Sequence, residues 1–349
     1  MIPFKNSAVQ ADALKISVLV LAYNRQDFLK EAIDSVLNQT LPGEFYEIVL
    51  VKNFDFQYSD NLQEGGLLKN VFSNQKSMGK FIVDGMNKCN HEIIAFLEDD
   101  DLWEPDRLEK IHEIFLTNSE LCYYHNSVIH VDVNGNPISF GSGHEVGAWG
   151  RSQNSILLGN SHKKNYINKI GRYFPDFNLS SIVLRVSFYN DSEETLSLMD
   201  TAVDTYLFFV ALNSKGSILL DPSPLTKYRH HGQSQSGGES SDIEKYLRSL
   251  YNFSSRALPA YETIRHYVNS NEGSRKVLSG PARRRVKFTM LLNSIQNPQI
   301  SRLRTLRLAL SIIPVSIYFN RSLNIRAIFL GFLYVVWPSK ARNLLATHS

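Results

Sequence analysis

A run of five apolar residues ends in four consecutive acids close to residue 100. Ile93–Leu97 reads IIAFL, and the acids Glu98–Asp101 follow it directly. An unbroken apolar run of this length is typical of a strand that is covered on both faces. Neighbouring carboxylates repel and raise each other's pKa, and a divalent cation such as Mg²⁺ or Mn²⁺ relieves that repulsion. The sequence therefore predicts a metal site at the end of a buried strand.

Strands and helices alternate along the first hundred residues. KISVLVLAY (15–23) and FYEIVLVKN (45–53) are predicted strands, and apolar residues recur at helical spacing between them. A second helix, KSMGKFIVDGMNKCN (76–90), precedes the strand that carries the acids. This order implies parallel strands joined by crossover helices. Ligands of such sheets bind beyond the carboxyl ends of the strands, which is where the acids lie.

The remaining elements follow from the same signals. Residues 55–76 are predicted to be a loop with a short helix, and residues 140–178 contain no firm element but are expected to shape an acceptor pocket. The other predictions are a helix after the acids with Pro105 in its first turn, a hairpin over 121–138 turning at Asn134–Gly135, a strand over 180–189, one helix over 197–216, and a strand over 217–221.

Charge is divided unevenly along the chain. Residues 281–349 hold eleven of the 37 Lys and Arg residues and none of the 34 Asp and Glu residues, so residues 1–280 carry 26 cations against 34 acids, a balance of −8. The chain thus combines an acidic body with a basic tail, an asymmetry that calls for a partner.

The basic tail contains two apolar runs, Leu308–Phe319 and Ala327–Trp337. Both are shorter than the roughly 20 residues that span a bilayer. Flanking Arg residues and several aromatic residues predict helices that lie in the headgroup region of a membrane. One alternative is a helical subdomain that packs on the acidic body. Nucleic acid is not expected as a partner, because the tail has no aromatic and basic RNA-binding motif.

The two cysteines, Cys89 and Cys122, fit neither a disulfide framework nor a metal-binding spacing. They are expected to be reduced thiols of a cytoplasmic protein. The first 15 residues lack the basic start and apolar core of a signal peptide. Together with the tail, these features predict a peripheral protein at the inner face of the plasma membrane.

Six segments, taken in order, resemble the family 2 glycosyltransferases, which are enzymes of the GT-A fold that move a sugar from a nucleotide diphosphate. They are SVLVLAYNRQDFLKEAIDSVLNQTLP (17–42), EIVLVKN (47–53), EIIAFLEDDDLWEPDRLEKI (92–111), SSIVLR (180–185), DTAVDTYLFFVAL (200–212) and KYRHHGQSQS (227–236). The resemblance implies an α/β fold with a Rossmann-like, mostly parallel central sheet flanked by helices. It divides the chain into a catalytic domain, 1–240, and a helical C-terminal region, 241–349.

The resemblance assigns roles to the acidic stretch. The Asp-x-Asp motif of the family corresponds to Glu98–Asp99–Asp100. By this match Asp100 is a direct metal ligand, while Glu98 and Asp99 lie on the donor side, with Glu98 nearer the ribose. Such a cation would stabilise the charge that grows on the departing diphosphate.

A second ligand is implied by the segment KYRHHGQSQS, in which the family often carries a His that reaches the metal or the diphosphate. His231 is the expected residue. Arg229 and His230 are the other groups in this segment that are able to meet phosphate.

Inverting transfer needs a carboxylate that takes the proton of the acceptor hydroxyl. The family places this acid at the start of a late helix, and the match gives Asp204. Asp200 is the alternative, because residues four apart share a face of a helix.

The donor pocket is expected to be lined by Tyr23, Asn24 and Arg25, although packing in the core is the other interpretation of Tyr23. The family usually ends its second strand in Asp-Asp, whereas this strand ends in Lys52–Asn53–Phe54–Asp55. Asn53 would hydrogen-bond a uracil or a guanine, and Asp55 is the substitute acid. UDP is the expected nucleotide, and GDP and dTDP are the alternatives.

The predicted function is therefore inverting, metal-dependent transfer of a sugar to a glycan or a lipid-linked acceptor, as in polysaccharide biosynthesis. A sugar-phosphate nucleotidyltransferase is a second hypothesis, but it needs a Gly-rich loop after the first strand, and LAYNRQDF contains no glycine. The third hypothesis is a non-catalytic, membrane-bound protein that binds a nucleotide-sugar or a glycan, which the unusual Lys52–Phe54 stretch favours.

Overall fold

The structure is a computed structural model that describes residues 14–138, 154–159, 163, 176–189, 192–231, 243–270, 272–297, 299–319 and 322–346. The chain forms two compact units. The first comprises the residues up to Leu198 together with Val203–Arg229, and the second comprises Met199–Ala202 and the residues from His230 onward. The predicted boundary at residue 240 lies outside the described residues and stays a prediction.

The first half of the first unit is a parallel sheet. The strands β1 (Ile16–Ala22), β2 (Tyr46–Lys52), β3 (Lys69–Phe72) and β4 (Ile93–Glu98) pair in parallel in the order β3-β2-β1-β4. All seven residues of β1 are buried, and Ile93–Leu97 of β4 are also buried. Such complete burial is what the unbroken apolar runs predict, and it brings the carboxyl ends of β1, β2 and β4 to one edge.

The second half of the sheet is mixed. It contains β5 (Leu102–Trp103), β6 (Leu121–Val131), β7 (Ile156–Leu158), β8 (Ile182–Arg185) and β9 (Ser217–Arg229). Among the described residues nine strands form one sheet, in which β8 is antiparallel to both β4 and β6, β9 is parallel to β6, and β5 and β7 are antiparallel to β9.

Helices of the first unit are short and amphipathic or buried. They are α1 (Leu29–Leu37), α2 (Gln57–Glu64), α3 (Met78–Met86), α4 (Arg107–Thr117), α5 (Glu193–Ser197) and α6 (Val203–Asn213). The main core joins alternate side chains of β1 and β4 to the apolar faces of α1 and α4, with Ile33 and Leu108 among its fully buried members. The helix α3 packs close to the sheet at Gly85, where a Cβ would lie 2.4 Å from Cγ2 of Val51.

The second unit is helical, as predicted for the tail. It contains α7 (Ile243–Ser270), α8 (Glu272–Gln296), α9 (Arg302–Phe319), α10 (Ser322–Val336) and α11 (Pro338–Ala346). Its own small core is formed by Leu291, Ile295, Ala309, Leu330, Tyr334 and Ala341. None of the helices in the described part of the chain has the length and apolar character needed to cross a bilayer.

Three expectations about strands and helices differ from the structure. Residues 69–72, placed in a loop, form the edge strand β3, and β9 continues past residue 221 to Arg229. The register of β9 against β6 shifts where Pro222 and Pro224 cannot donate to the ladder. The expected single helix over 197–216 begins only at Val203.

That late start has a local cause. Ala202 has a φ of +56°, in the left-handed region, which a helix cannot pass through. Asp200 therefore lies before the helix, and the expectation that Asp200 and Asp204 share a helix face is wrong. The hairpin turn at Asn134–Gly135 is confirmed, with Gly135 at a φ of +80°.

Buried His125 on β6 predicts a measurable pH dependence of stability. Its Nε2 lies 2.6 Å from the carbonyl oxygen of Phe177, while Nδ1 has no hydrogen-bond partner among the described residues. Burial lowers the pKa of His125 from 6.5 to about 4. Since the unfolded chain then binds a proton more readily than the folded one, stability is lost as pH falls from 6.5 towards 4.

We expect His125→Gln to lose this part of the pH dependence, which amounts to about 3 kcal/mol at most. The measurement is urea unfolding at several pH values between 7.5 and 4, with His112→Gln on α4 as the matched control. Groups common to both proteins cancel in the comparison. An unchanged slope in His125→Gln would contradict the account.

Candidate functional site

Arg25 links two of the predicted site acids at the end of the parallel strands. It follows β1, and its guanidinium binds both oxygens of Asp99, with Nε 3.2 Å from Oδ2. The same guanidinium lies 2.6 Å from Oδ2 of Asp100. Burial opposes the charge of Arg25, but the hydrogen bond that Arg25 donates to Asp99 and the charges of Asp100 and Asp99 outweigh it and raise the pKa of Arg25. Arg25 is thus the resident counter-charge of the acidic stretch.

The charges of the other acids, including the predicted base Asp204, act on the carboxyl group of Glu98. Burial raises its pKa well above the usual value, and the charges of Asp100, Asp101, Asp204 and Asp99 add to the shift in that order. Burial also raises the pKa of Asp99 to about 7, against the hydrogen bond from Arg25. Asp204, at the start of α6, therefore lies close enough to the end of β4 for its charge to act on Glu98.

Asp101 is a structural member of the acidic stretch. Its carboxylate is buried and accepts hydrogen bonds from Nδ2 of Asn178 and Oγ of Ser180, each at 2.7 Å, and from the backbone N–H of Arg229 at 3.0 Å. Burial and the charge of Asp100 raise its pKa to about 7 although these donors favour the ionised form. Ser180 also accepts the N–H of Glu98 at 3.0 Å. Asp101 therefore anchors the turn that presents Asp99 and Asp100.

Arg229 holds the same turn from the other side. Its guanidinium is fully buried and donates to the carbonyl oxygens of Asp100, at 2.9 Å, and Val133, at 2.5 Å. A third nitrogen lies 2.6 Å from Oε2 of Glu31. The suggestion that Arg229 meets a phosphate is therefore wrong, because its donors are engaged inside the protein.

The nucleotide-side residues occupy the ends of β1 and β2. Asn24, at a φ of +56°, donates its N–H to Oδ1 of Asn53 at 2.9 Å and accepts from Nδ2 of Asn53 at 2.6 Å. Each amide keeps further hydrogen-bonding capacity. Tyr23 is partly buried and packs edge-to-face on Phe81 with ring centroids 5.4 Å apart, and its role in the donor pocket stays a prediction.

The unusual end of β2 has a structural explanation. Lys52 is buried and donates to Oγ of Ser59 at 2.8 Å and to Oδ1 of Asp60 at 2.6 Å, so its charge is neutralised away from the strand end. Asp55 is exposed. Its suggested role as the substitute acid stays a prediction.

Asp204 occupies the first turn of α6, where the helix dipole favours an ionised carboxylate. Its Oδ1 accepts the N–H of Thr205 at 2.7 Å. Thr205 in turn donates its hydroxyl to Oδ2 of buried Asp176 at 2.7 Å. Burial raises the pKa of Tyr123, and the charges of Asp176 and Asp204 raise it further, so both acids lie near this phenol.

Asp176 and Thr205 are joined by successive hydrogen bonds to the predicted base, and sequence reasoning did not single them out. Asp176 belongs to the segment 140–178, in which no element was predicted, and most of that segment lies outside the described residues. The sequence signal that could have indicated Thr205 is its position directly after the predicted base, Asp204. Asp200, which is exposed, and His231, which is buried, fall into the second unit, and their roles stay predictions.

The carboxylate oxygens at the end of β4 are the kind of ligand that a hard cation such as Mg²⁺ prefers. Among the residues that the structure describes, no group of three His, Cys, Asp or Glu side chains is arranged to hold a metal by itself. Mg²⁺ is usually held by one or two carboxylates together with waters and substrate phosphates. Asp100, which is only partly buried beside Asp99, fits that kind of site, with Arg25 as the present counter-charge.

Comparisons with known proteins find glycosyltransferases that are similar to this chain. Residues 17–144 match the family model described as Glycosyl transferase family 2. An uncharacterized glycosyltransferase of Nostoc is 32% identical over 126 residues, 34% of this chain and 37% of the relative. A second, from Haemophilus influenzae, is 24% identical over 63% of this chain and 67% of the relative. The amylovoran biosynthesis glycosyltransferase AmsE of Erwinia amylovora is 30% identical over 34% of this chain and 47% of the relative.

Among solved structures, S. aureus TarS 1-349 in complex with UDP-GlcNAc is similar with a TM-score of 0.51 at 13% identity, over 92% of this chain and 91% of that one. The fold is therefore of the predicted GT-A type. Residues 17–144 are thus similar to the family 2 glycosyltransferases, a match that covers about a third of the chain. The matched segments span between 37% and 67% of the three curated relatives.

The contact of Arg229 with the acidic turn, Glu98–Asp101, predicts that this arginine contributes strongly to stability. We expect Arg229→Met to lower the free energy of unfolding by about 3 kcal/mol, because it leaves buried carbonyl groups of the turn without a donor. Urea denaturation measures the change. The matched control is Lys110→Met, which removes an exposed i,i+4 ion pair with Asp106 and is expected to cost less than about 1 kcal/mol. Similar losses in both variants would argue against the proposed anchoring role.

Proposed function

We propose that the protein is an inverting glycosyltransferase that moves a sugar from a nucleotide diphosphate, UDP first, to a glycan or a lipid-linked acceptor. The observation that carries the proposal is the placement of Asp204 within electrostatic reach of the acids that end β4. This supports Asp204 as a proton acceptor close to the acids that would bind a metal and a diphosphate. The match of residues 17–144 to the family 2 model supports the class of reaction.

The proposed mechanism uses Asp204 as the general base. Its position at the start of α6 and the N–H of Thr205 favour the ionised carboxylate that the step requires. Asp204 takes the proton of the acceptor hydroxyl as that oxygen attacks the anomeric carbon. The bond from that carbon to the diphosphate breaks on the opposite side, and the nucleoside diphosphate leaves with the electron pair.

Asp176 and Thr205 would fix the orientation of the base. The hydroxyl of Thr205 is tied to Asp176, so the backbone N–H that Asp204 accepts is held in place. Asn24 and Asn53, joined to each other at the ends of β1 and β2, would meet the base of the nucleotide. We assign donor binding to Tyr23, Asn24, Arg25, Asn53 and Glu98.

A divalent cation, Mg²⁺ or Mn²⁺, held by Asp100 would neutralise the negative charge of the diphosphate. Within the chain, the positive charge of Arg25 offsets the negative charges of Asp99 and Asp100. His231 is proposed as a further ligand. S. aureus TarS 1-349 has been solved with UDP-GlcNAc, which supports a UDP-sugar as the first donor to test.

We also propose that the basic C-terminal region attaches the protein to the inner face of the plasma membrane, where lipid-linked acceptors would be within reach. The support is the eleven cations and the absence of any acid in residues 281–349. Anionic lipid attracts each such cation by about 1 kcal/mol near the surface. AmsE, a relative named for amylovoran biosynthesis, supports a role in polysaccharide biosynthesis.

The test is turnover of UDP-, GDP- and dTDP-sugars with and without Mn²⁺, measured as released nucleoside diphosphate. We expect one donor to be turned over, and Asp204→Asn to lower kcat by about 10²- to 10⁴-fold, the usual contribution of a general base, while thermal shift still reports donor binding. Asp200→Asn decides between the two candidate bases. The control is Glu113→Gln, the same change at an exposed position of α4.

Two outcomes would contradict the proposal. Donor binding without turnover would favour the non-catalytic nucleotide-sugar or glycan-binding protein. Formation of a nucleotide-sugar from a nucleoside triphosphate and a sugar phosphate would favour the nucleotidyltransferase.

A further inference from the structure

The helix α10 is apolar on two opposite faces. Its sequence SLNIRAIFLGFLYVV contains one cation and no acid. Leu330 and Tyr334 are buried in the core of the second unit. Gly331 allows a close approach to α9, because a Cβ there would lie 2.7 Å from Cβ of Ala309. These contacts account for one face of α10 and leave the other to be explained.

The opposite face is exposed and equally apolar. Phe329, Phe332, Val336 and Trp337 form what we call the apolar ridge. The first three stand at i, i+3 and i+7, which places them on one side of the helix. Phe329 is 56% exposed, Val336 81% and Trp337 55%. Single exposed apolar residues are common on protein surfaces, but a contiguous group of large ones marks an interaction site.

Cations border the apolar ridge. Nη1 of Arg302 lies 3.3 Å from the carbonyl oxygen of Val335, next to Val336. Nζ of Lys340 lies 4.7 Å from the ring centroid of Trp337. Arg304 and Arg307 are exposed on α9. Because no Asp or Glu occurs from residue 281 onward, the sequence of this region provides no acid to offset these charges.

We infer that the apolar ridge inserts into an anionic lipid surface while Arg302 and Lys340 meet the headgroups. A second copy of the chain would bring the same cations against each other, which disfavours self-association through this face. An apolar strip edged by cations and carrying an exposed Trp suits the interfacial region of a bilayer. The inference specifies the membrane attachment proposed above, and it does not depend on catalysis.

The test is flotation of the full chain with vesicles of phosphatidylcholine alone or mixed with phosphatidylglycerol. We expect binding to the anionic vesicles only. The triple variant Phe332→Ser, Val336→Ser, Trp337→Ser should bind at least about tenfold more weakly, since membrane affinity scales with the apolar area that is buried. The matched control is Leu67→Ser, Phe72→Ser in the first unit, where both side chains are similarly exposed, and it should bind as the wild type does.

Charge is tested separately. Arg302→Gln and Lys340→Gln should each weaken binding about fivefold, the equivalent of about 1 kcal/mol per cation, and added salt should do the same. Brominated lipid should quench a fluorescence component that is lost in Trp337→Phe, a readout that needs no destabilising change.

Three results would overturn the inference. One is equal binding to neutral and anionic vesicles, or none to either. Another is a ridge variant that folds, as judged by circular dichroism, and binds like the control. The third is a wild-type dimer in light scattering that the ridge variant loses, which would make a second copy the occupant. None of these results bears on donor turnover, so failure here is distinguishable from failure of the proposed activity.

Discussion

Four carboxylates in a row at the end of a buried strand are the constraint on which the rest of the site depends. Repulsion alone would splay them into water. The structure counters it with Asp101 turned inward onto Asn178, Ser180 and the N–H of Arg229. Arg25 spans Asp99 and Asp100 on the outer side. The turn is thereby fixed with one anchoring acid and two acids that share a counter-charge.

This arrangement connects distant parts of the chain. Arg229 reaches Glu31 across 198 positions of sequence and also holds the carbonyl oxygen of Asp100. Asn178 and Ser180, which hold Asp101, lie just before β8, and the proposed base Asp204 lies at the start of α6. The segments next to the mixed half of the sheet therefore supply both the partners of Asp101 and the proposed base. The geometry of the site is in this sense a consequence of the strand order.

Much of this organisation could be predicted from sequence. Because β1 and residues Ile93–Leu97 of β4 are completely buried, their sequences are unbroken apolar runs that predict strands. The resemblance correctly placed Asp204 at the start of a helix. The short edge strand β3 could not be read, because only Val71 of its four residues is buried. The extension of β9 was hidden by two prolines that ordinarily end a strand.

Residue roles that depend on long-range partners were beyond the sequence. Nothing local distinguishes Arg229, whose contacts are internal, from a phosphate-binding arginine. Lys52 departs from the family pattern at the end of β2, and only its contacts with Ser59 and Asp60 in the structure explain it. Asp200 appeared to continue a helix, and only the positive φ of Ala202 removes it from that helix.

We propose that the acidic turn, Glu98–Asp101, receives a cation together with a diphosphate. The test is calorimetric titration of Mn²⁺ in the absence and presence of UDP. We expect UDP to tighten Mn²⁺ binding, Mn²⁺ to tighten UDP binding by the same factor, and Asp100→Asn to remove this coupling. UDP binding that is independent of Mn²⁺, or coupling that survives in Asp100→Asn, would contradict it.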